Sequence, residues 1–126
     1  MSLRRVLLDT SVLIGAEDPG GVEGAISAAT LMELHFGVLV AADPEERARR
    51  TGRLGVVESR FDPIAIDAAV AREWGRLAAA VADRGGKPRR RALDLAIAAT
   101  ANVEGVALLT LDVDDFAILG GLVELA

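Results

Sequence analysis

The chain has no cysteine and no tyrosine, one tryptophan, three phenylalanines and a single histidine. Without cysteine there are no disulfides, no thiolate-held zinc and no thiol nucleophile. One histidine cannot complete a zinc site of the usual nitrogen and sulfur ligands. A resident metal would have to be held by oxygen, which points to Mg2+ or Mn2+. With so few rings, the core must be aliphatic. No apolar run reaches membrane-spanning length. The apolar residues after Arg5 are interrupted by Asp9 and lead into no cleavage pattern, so no secretory leader is read. A cytoplasmic protein without membrane contact is expected. A phosphate-binding glycine loop is also missing, which argues against a nucleotide cofactor.

What is present is 126 residues, 52% hydrophobic and 26% charged, enough for one globular domain over residues 1–126. Nineteen acids against 14 bases give a net charge of −5. Bulk charge therefore does not attract nucleic acid, and any such binding needs a local basic patch.

Leu3 to Leu8 reads as a buried first strand that delivers Asp9, followed by the hydroxyls of Thr10 and Ser11, to its C-terminal end. In open α/β sheets that edge is where ligands bind. Residues 17–21 form a break, and Ala25 to Ala28 a short second strand. Thr30, with Glu33 three residues on, has the spacing of a capping box. The helix that follows is apolar nearly all round, which predicts deep burial. Asp43-Pro44 opens a helix with a solvated arginine face. Phe61 to Ile66, carrying Pro63, is an edge strand or an extended connector. Asp67 caps a helix with Ile66, Val70, Trp74, Leu77 and Val81 as its apolar stripe. A further helix runs from Arg91 to Glu104 and stops at Gly105. Val106 to Thr110 is a buried strand, Asp112 to Phe116 a turn or short helix, and Leu122 to Leu125 a last strand. Alternating strands and helices predict a three-layer α/β/α fold around a mostly parallel sheet of four or five strands.

Four acids stand out because each is set among apolar residues. Asp9 alone reads as a strand-end acid or a turn cap, and Glu33 alone as a capping-box partner. Asp94 alone is a first-turn acid, but burying its charge inside Leu93 to Ala99 is costly unless it is paired or metal-bound. Asp112, with Asp114 and Asp115 after it, suits a polar loop. Each is expected at a strand end or on the helix after a strand. Clustered carboxylates repel one another, and such a cluster persists where a divalent cation holds it or its shifted pKa values serve chemistry. Oxygen ligands without histidine or cysteine suit phosphoryl-transfer chemistry. Arg84, Lys87, Arg89, Arg90 and Arg91 place five bases in eight residues just before Asp94. A charge run is usually a solvated face, but in an acidic protein and beside the proposed acids this one is read as a contact for nucleic-acid phosphates. His35 is read as a core or helix-side residue.

The blocks Leu8 to Ile14, Thr30 to Val38, Arg91 to Ala99 and Leu109 to Phe116 together resemble the four blocks of a PIN-domain ribonuclease, nearest to the VapC toxins of toxin–antitoxin pairs. The resemblance implies Mg2+- or Mn2+-dependent endoribonuclease activity and a small antitoxin partner, with a homodimer or a hetero-oligomer with the antitoxin as the assembly. It implies that Asp9, Glu33, Asp94 and Asp112 are the catalytic acids. Of these, Asp9, Asp94 and Asp112 hold the metal, with Asp115 the alternative fourth ligand. It implies that Thr10 and Thr110 support them; on the charge of the basic run, Lys87, Arg89, Arg90 and Arg91 are then expected to bind the RNA. Water oriented by Glu33 or another acid would attack phosphorus in line with the leaving 3′ oxygen. The span between Ile14 and Ile26 is shorter than usual for such toxins, so the first helix is expected to be trimmed or missing. The rival readings are a binding module of the same fold with little activity and an aspartyl-phosphate phosphatase using Asp9. The latter would want an acid where Ser11 stands.

Overall fold

The computed structural model describes residues 3–15 and 20–126. Strand β1 (Arg4–Leu8) is followed by a short helix, α1 (Thr10–Ile14), then β2 (Val22–Ala25), α2 (Ala28–Leu39), α3 (Pro44–Arg60) and α4 (Ala68–Asp83). A 3-10 turn over Pro88–Arg91 leads into α5 (Ala92–Glu104), then β3 (Ala107–Leu109) and a second 3-10 segment, Val113–Leu119.

The sheet is parallel and its order is β2-β1-β3. It has three strands where four or five were expected. The two missing strands survive as single bridges, Ser27 to Ile64 and Leu108 to Leu125. Pro63 has no N–H to extend the first of these. At the second, the N–H groups of Leu122 and Val123 turn back to the carbonyl of Leu119 at 2.8 and 3.3 Å. Only the last residues are left to pair, through Leu108 N–H to Glu124 O and Ala126 N–H to Leu108 O, each 2.8 Å.

Side chains on β1 alternate between two aliphatic cores, as the strand period requires. Leu7 joins Leu108, Val70, Leu77, Val81 and the Leu95–Ala99 run on one face. Val6 and Leu8 join Val12, Ile26, Leu34, Leu54 and Val57 on the other. These are the outer layers of the expected α/β/α arrangement. Gly24 allows β2 to lie this close to β1, since a Cβ there would fall 2.5 Å from Leu8 Cδ1.

Local signals set several boundaries as expected. Asp43 and Asp67 cap α3 and α4 through Glu46 N–H and Val70 N–H at 2.8 and 2.9 Å. Gly105 ends α5 with φ 68°, in the left-handed region that favours glycine. The start of α2 differs. Its cap is Ser27, whose hydroxyl accepts from Ala29 N–H at 3.0 Å, and Thr30 lies inside the helix. The second strand likewise lies three residues earlier than expected. Helix α2 is not deeply buried: Met32, Phe36 and Leu39 are exposed, because only one side of the helix meets the rest of the protein. Ile66 is also exposed, so the stripe on α4 begins at Val70. The trimmed first helix is the five-residue α1. The break at residues 17–21 lies largely outside the described residues.

Candidate active site

Asp9 leaves the C-terminal end of β1 and is 5% exposed. Its N–H is tied to Leu109 O of β3 at 2.9 Å, so the two strand ends are joined at this residue. Its Oδ2 accepts two hydroxyl protons, from Ser11 at 2.7 Å and from Thr110 at 2.8 Å. The same two hydroxyl oxygens accept the backbone N–H groups of Leu111 and Asp112 at 3.0 and 2.9 Å. Each hydroxyl thus donates to the acid and accepts from the loop after β3. Asp9 Oδ1 makes no hydrogen bond among the described residues, so one oxygen is fixed and the other is available to a ligand.

Glu33 comes from α2 and is held by Thr10, whose hydroxyl donates to Oε1 at 2.9 Å. Behind Thr10 stands Thr30, fully buried, with its Oγ1 3.0 Å from that of Thr10. Thr10 has one hydroxyl proton, and two acceptors lie within its reach, Glu33 Oε1 and Thr30 Oγ1. Burial raises the Glu33 pKa, the Thr10 hydrogen bond opposes this, and the charge of Asp9 adds to the rise.

Asp94 lies in the first turn of α5, half-buried. Its pKa is pushed up to about 6, first by burial and then by the charges of Asp9, Asp115 and Glu33, with Arg91 acting the other way. Asp9, Glu33 and Asp94 therefore share one electrostatic neighbourhood although they come from three elements. Asp94 does not follow a strand: α5 is entered from α4 through the Pro88–Arg91 turn.

Two clefts meet at Asp94. One, about 460 Å³, is lined by Lys87, Arg90, Arg91, Asp94 and Asp115. The other, about 400 Å³, is lined by Glu33, Arg89, Arg90, Arg91 and Asp94. Lys87 and the three arginines thus share these clefts with Glu33, Asp94 and Asp115. Arg84 does not join them, because its guanidinium donates to Ile118 O and Gly120 O at 2.7 and 3.0 Å. Asp112 and Asp115 are both exposed. Asp115, not Asp112, lines a cleft with Asp94 and acts on its charge. His35 is a helix-side residue, 3.3 Å from Glu58 Oε1. Sequence reasoning gave no role to Ser11 beyond its hydroxyl and cast Thr30 as a cap. The one available signal was their hydroxyls, at two positions beside acids.

Among the described residues, no three histidine or acidic side chains form a ready-made metal cage. The donor chemistry nonetheless fits a hard divalent cation. All candidates are carboxylates, one Asp9 oxygen is open, and the repulsion felt by Asp94 is what such a cation would relieve.

The sequence profile of the PIN domain matches residues 6–122. Ribonuclease VapC4 of Mycobacterium tuberculosis is 44% identical over 121 residues, covering 90% of this chain and 91% of that protein. Ribonuclease VapC5 of the same organism is 38% identical, covering 91% of this chain and 87% of that protein. Among solved structures, a member of the VapBC family of toxin–antitoxin systems, VapBC-5 from Mycobacterium tuberculosis, superposes with a TM-score of 0.83. It is 36% identical and covers 97% of this chain and 95% of that one.

Proposed function

The chain belongs to the PIN-domain family, among the VapC ribonucleases, and on that premise we propose how its own residues cleave RNA. It is an endoribonuclease, the toxin of a toxin–antitoxin pair, and its partners are RNA and a small antitoxin protein. The whole chain acts as one nuclease domain in the cytoplasm, assembled as a homodimer or as a hetero-oligomer with its antitoxin. Among the described residues, no helix is long and apolar enough to cross a membrane.

The observation that carries the site is the half-buried Asp94, whose charge is opposed by Asp9, Asp115 and Glu33 together. Asp9 and Asp94 would hold a divalent cation, with Mg2+ or Mn2+ the ions that suit oxygen ligands. Asp115 would complete the set ahead of Asp112. Bound there, the ion would neutralise charge developing at the scissile phosphate and make water more acidic. Ser11 and Thr110 keep Asp9 in one orientation. Glu33, oriented by Thr10, accepts a hydrogen bond from the attacking water and draws off its proton as it approaches phosphorus opposite the 3′ oxygen. Lys87, Arg89, Arg90 and Arg91 hold phosphates of the bound strand. Cleavage leaves a 5′-phosphate, and neither a histidine base nor the RNA 2′-hydroxyl takes part. A phosphatase with Asp9 as nucleophile is disfavoured, because the position that would carry its acid is Ser11, which donates to Asp9.

The test is RNA cleavage by the purified protein with Mg2+ or Mn2+, with EDTA as control, alongside Asp9→Asn and Asp94→Asn. Both variants should be inactive. Near wild-type cleavage by either, free of contaminating nuclease, would overturn the site.

A further inference from the structure

Glu33 lines a second cleft besides the one it shares with Asp94. This third cleft, about 250 Å³, lies between α1, α2 and α3, with Ile14, Leu34, Gly37, Glu46, Arg50 and Arg53 in its wall. The three clefts therefore form a chain, joined at Glu33 and at Asp94. Bases line both of its ends, with Glu33 and Asp94 between them; Asp115 lies at one end, and Glu46 at the other is paired with arginines. In a chain of net charge −5, bulk composition does not explain this placement.

The two arginines of the third cleft differ in availability. Arg50 donates to Glu46 Oε1 at 2.8 Å and to Gly37 O at 2.7 Å. Glu46 also pairs with Arg49, so its charge is doubly matched. The Arg53 side chain makes no hydrogen bond or ion pair among the described residues, although the residue is partly buried. An arginine held against a cleft wall with its five donors unused is suited to a phosphate, which it can bind in bidentate fashion.

We propose that Arg53 is a second phosphate-binding position for single-stranded RNA, on the far side of Glu33 from Arg89, Arg90 and Arg91. The strand then crosses the acids with a basic anchor on each side. This fixes its direction across the site and makes the enzyme favour RNA that extends past the scissile bond both ways. The inference rests on the RNA-cleaving reading.

Arg53→Gln keeps the side-chain stem and removes the charge. Arg47→Gln, on the exposed side of the same helix, removes the same charge outside the clefts and serves as control. Cleavage is measured on a long single-stranded RNA and on versions shortened from each end, and binding of the long RNA is titrated against salt in EDTA. Arg53→Gln should raise KM for the long RNA several-fold with little change in kcat, while Arg47→Gln matches the wild type. Its salt slope should be shallower by about 0.7, the loss of one phosphate contact on a single strand. The penalty should shrink when the RNA is shortened at one end only. An unchanged KM and slope in a folded Arg53→Gln protein overturns the proposal. So does a variant that binds RNA normally but loses affinity for the antitoxin, which would assign Arg53 to an acidic segment of that protein. If the wild type cleaves RNA and Asp94→Asn does not, a failure of Arg53 leaves the main reading intact. If the wild type cleaves no RNA, both fall.

Discussion

Thr110 and Asp9 are 101 positions apart in the chain, and the hydroxyl of the first donates to Oδ2 of the second at 2.8 Å. Ser11 donates to the same oxygen from two residues away. The pair couples the loop after β3 to the acid at the end of β1, since both hydroxyls also accept N–H groups of that loop. Thr110→Val keeps the shape and removes both bonds. Its cleavage rate should fall about tenfold or more, because a hydrogen bond to a charged group is worth about 1.5–3 kcal/mol. Thr110→Ser should restore most of the rate. If Thr110→Val retains the wild-type rate, Asp9 does not depend on this support.

Asp115 should matter more to metal binding than Asp112. Its charge acts on Asp94 and it lines the same cleft, whereas Asp112 contributes its backbone N–H to Thr110. Asp115→Asn should weaken Mn2+ binding by about tenfold or more, because a carboxylate near a divalent ion contributes several kcal/mol at an effective dielectric of about 20. Asp112→Asn should weaken it less. Isothermal titration of both variants decides the order, and a larger loss in Asp112→Asn would restore Asp112 as the fourth ligand.

The basic run should divide into two kinds of residue. Arg89 and Arg90 line the clefts, and their guanidinium groups have no hydrogen-bond partner among the described residues. Arg91 donates to Asp115 O at 2.6 Å and lowers the pKa of Asp94. Replacing Arg89 and Arg90 with Ala should weaken RNA binding and reduce the salt slope by about 1.4, two single-strand phosphate contacts. Arg91→Ala should also move the acid limb of the pH–rate profile to higher pH, because Asp94 loses its cationic neighbour. An unmoved limb would make Arg91 a phosphate contact like the other two.

Features written in short sequence patterns were legible in advance. Asp43-Pro44, Asp67 and Gly105 mark helix ends through bonds or backbone angles confined to a few residues. The end of β1 could be placed because an apolar run stops at an acid. What was not legible depends on distant partners. Whether Ser27 or Thr30 caps α2 depends on where the chain enters the helix, and that is set by pairing with Ile64. Arg84 and Arg91 are alike in sequence, yet one holds the backbone at Ile118 and the other stands beside Asp94. The apolar composition of α2 predicts burial, but composition does not say how many of its sides find a neighbour. The short last pairing follows from a turn at Gly120-Gly121 that takes up the N–H groups a full strand would need.

Asp94 links the metal to stability. Its carboxyl has a pKa of 3.8 in the absence of neighbours and about 6 in the folded protein. The folded state thus binds this proton more tightly than the unfolded chain, so the effect on stability has a definite sign. Below pH 3.8 both states are protonated and Asp94 costs nothing. As pH rises through the window between 3.8 and about 6, the metal-free protein loses stability, and above it the full penalty remains. The group is half-buried, so solvent screening reduces the penalty to about 1 kcal/mol. Asp94→Asn should therefore raise the metal-free melting temperature near neutral pH and leave it nearly unchanged near pH 3.5. Mn2+ should stabilise the wild type by mass action and the variant much less. A residue that only capped the helix would behave differently, since Asn caps nearly as well as Asp. In that case the melting curves of the two proteins would respond equally to Mn2+, and Asp94 could not be a ligand.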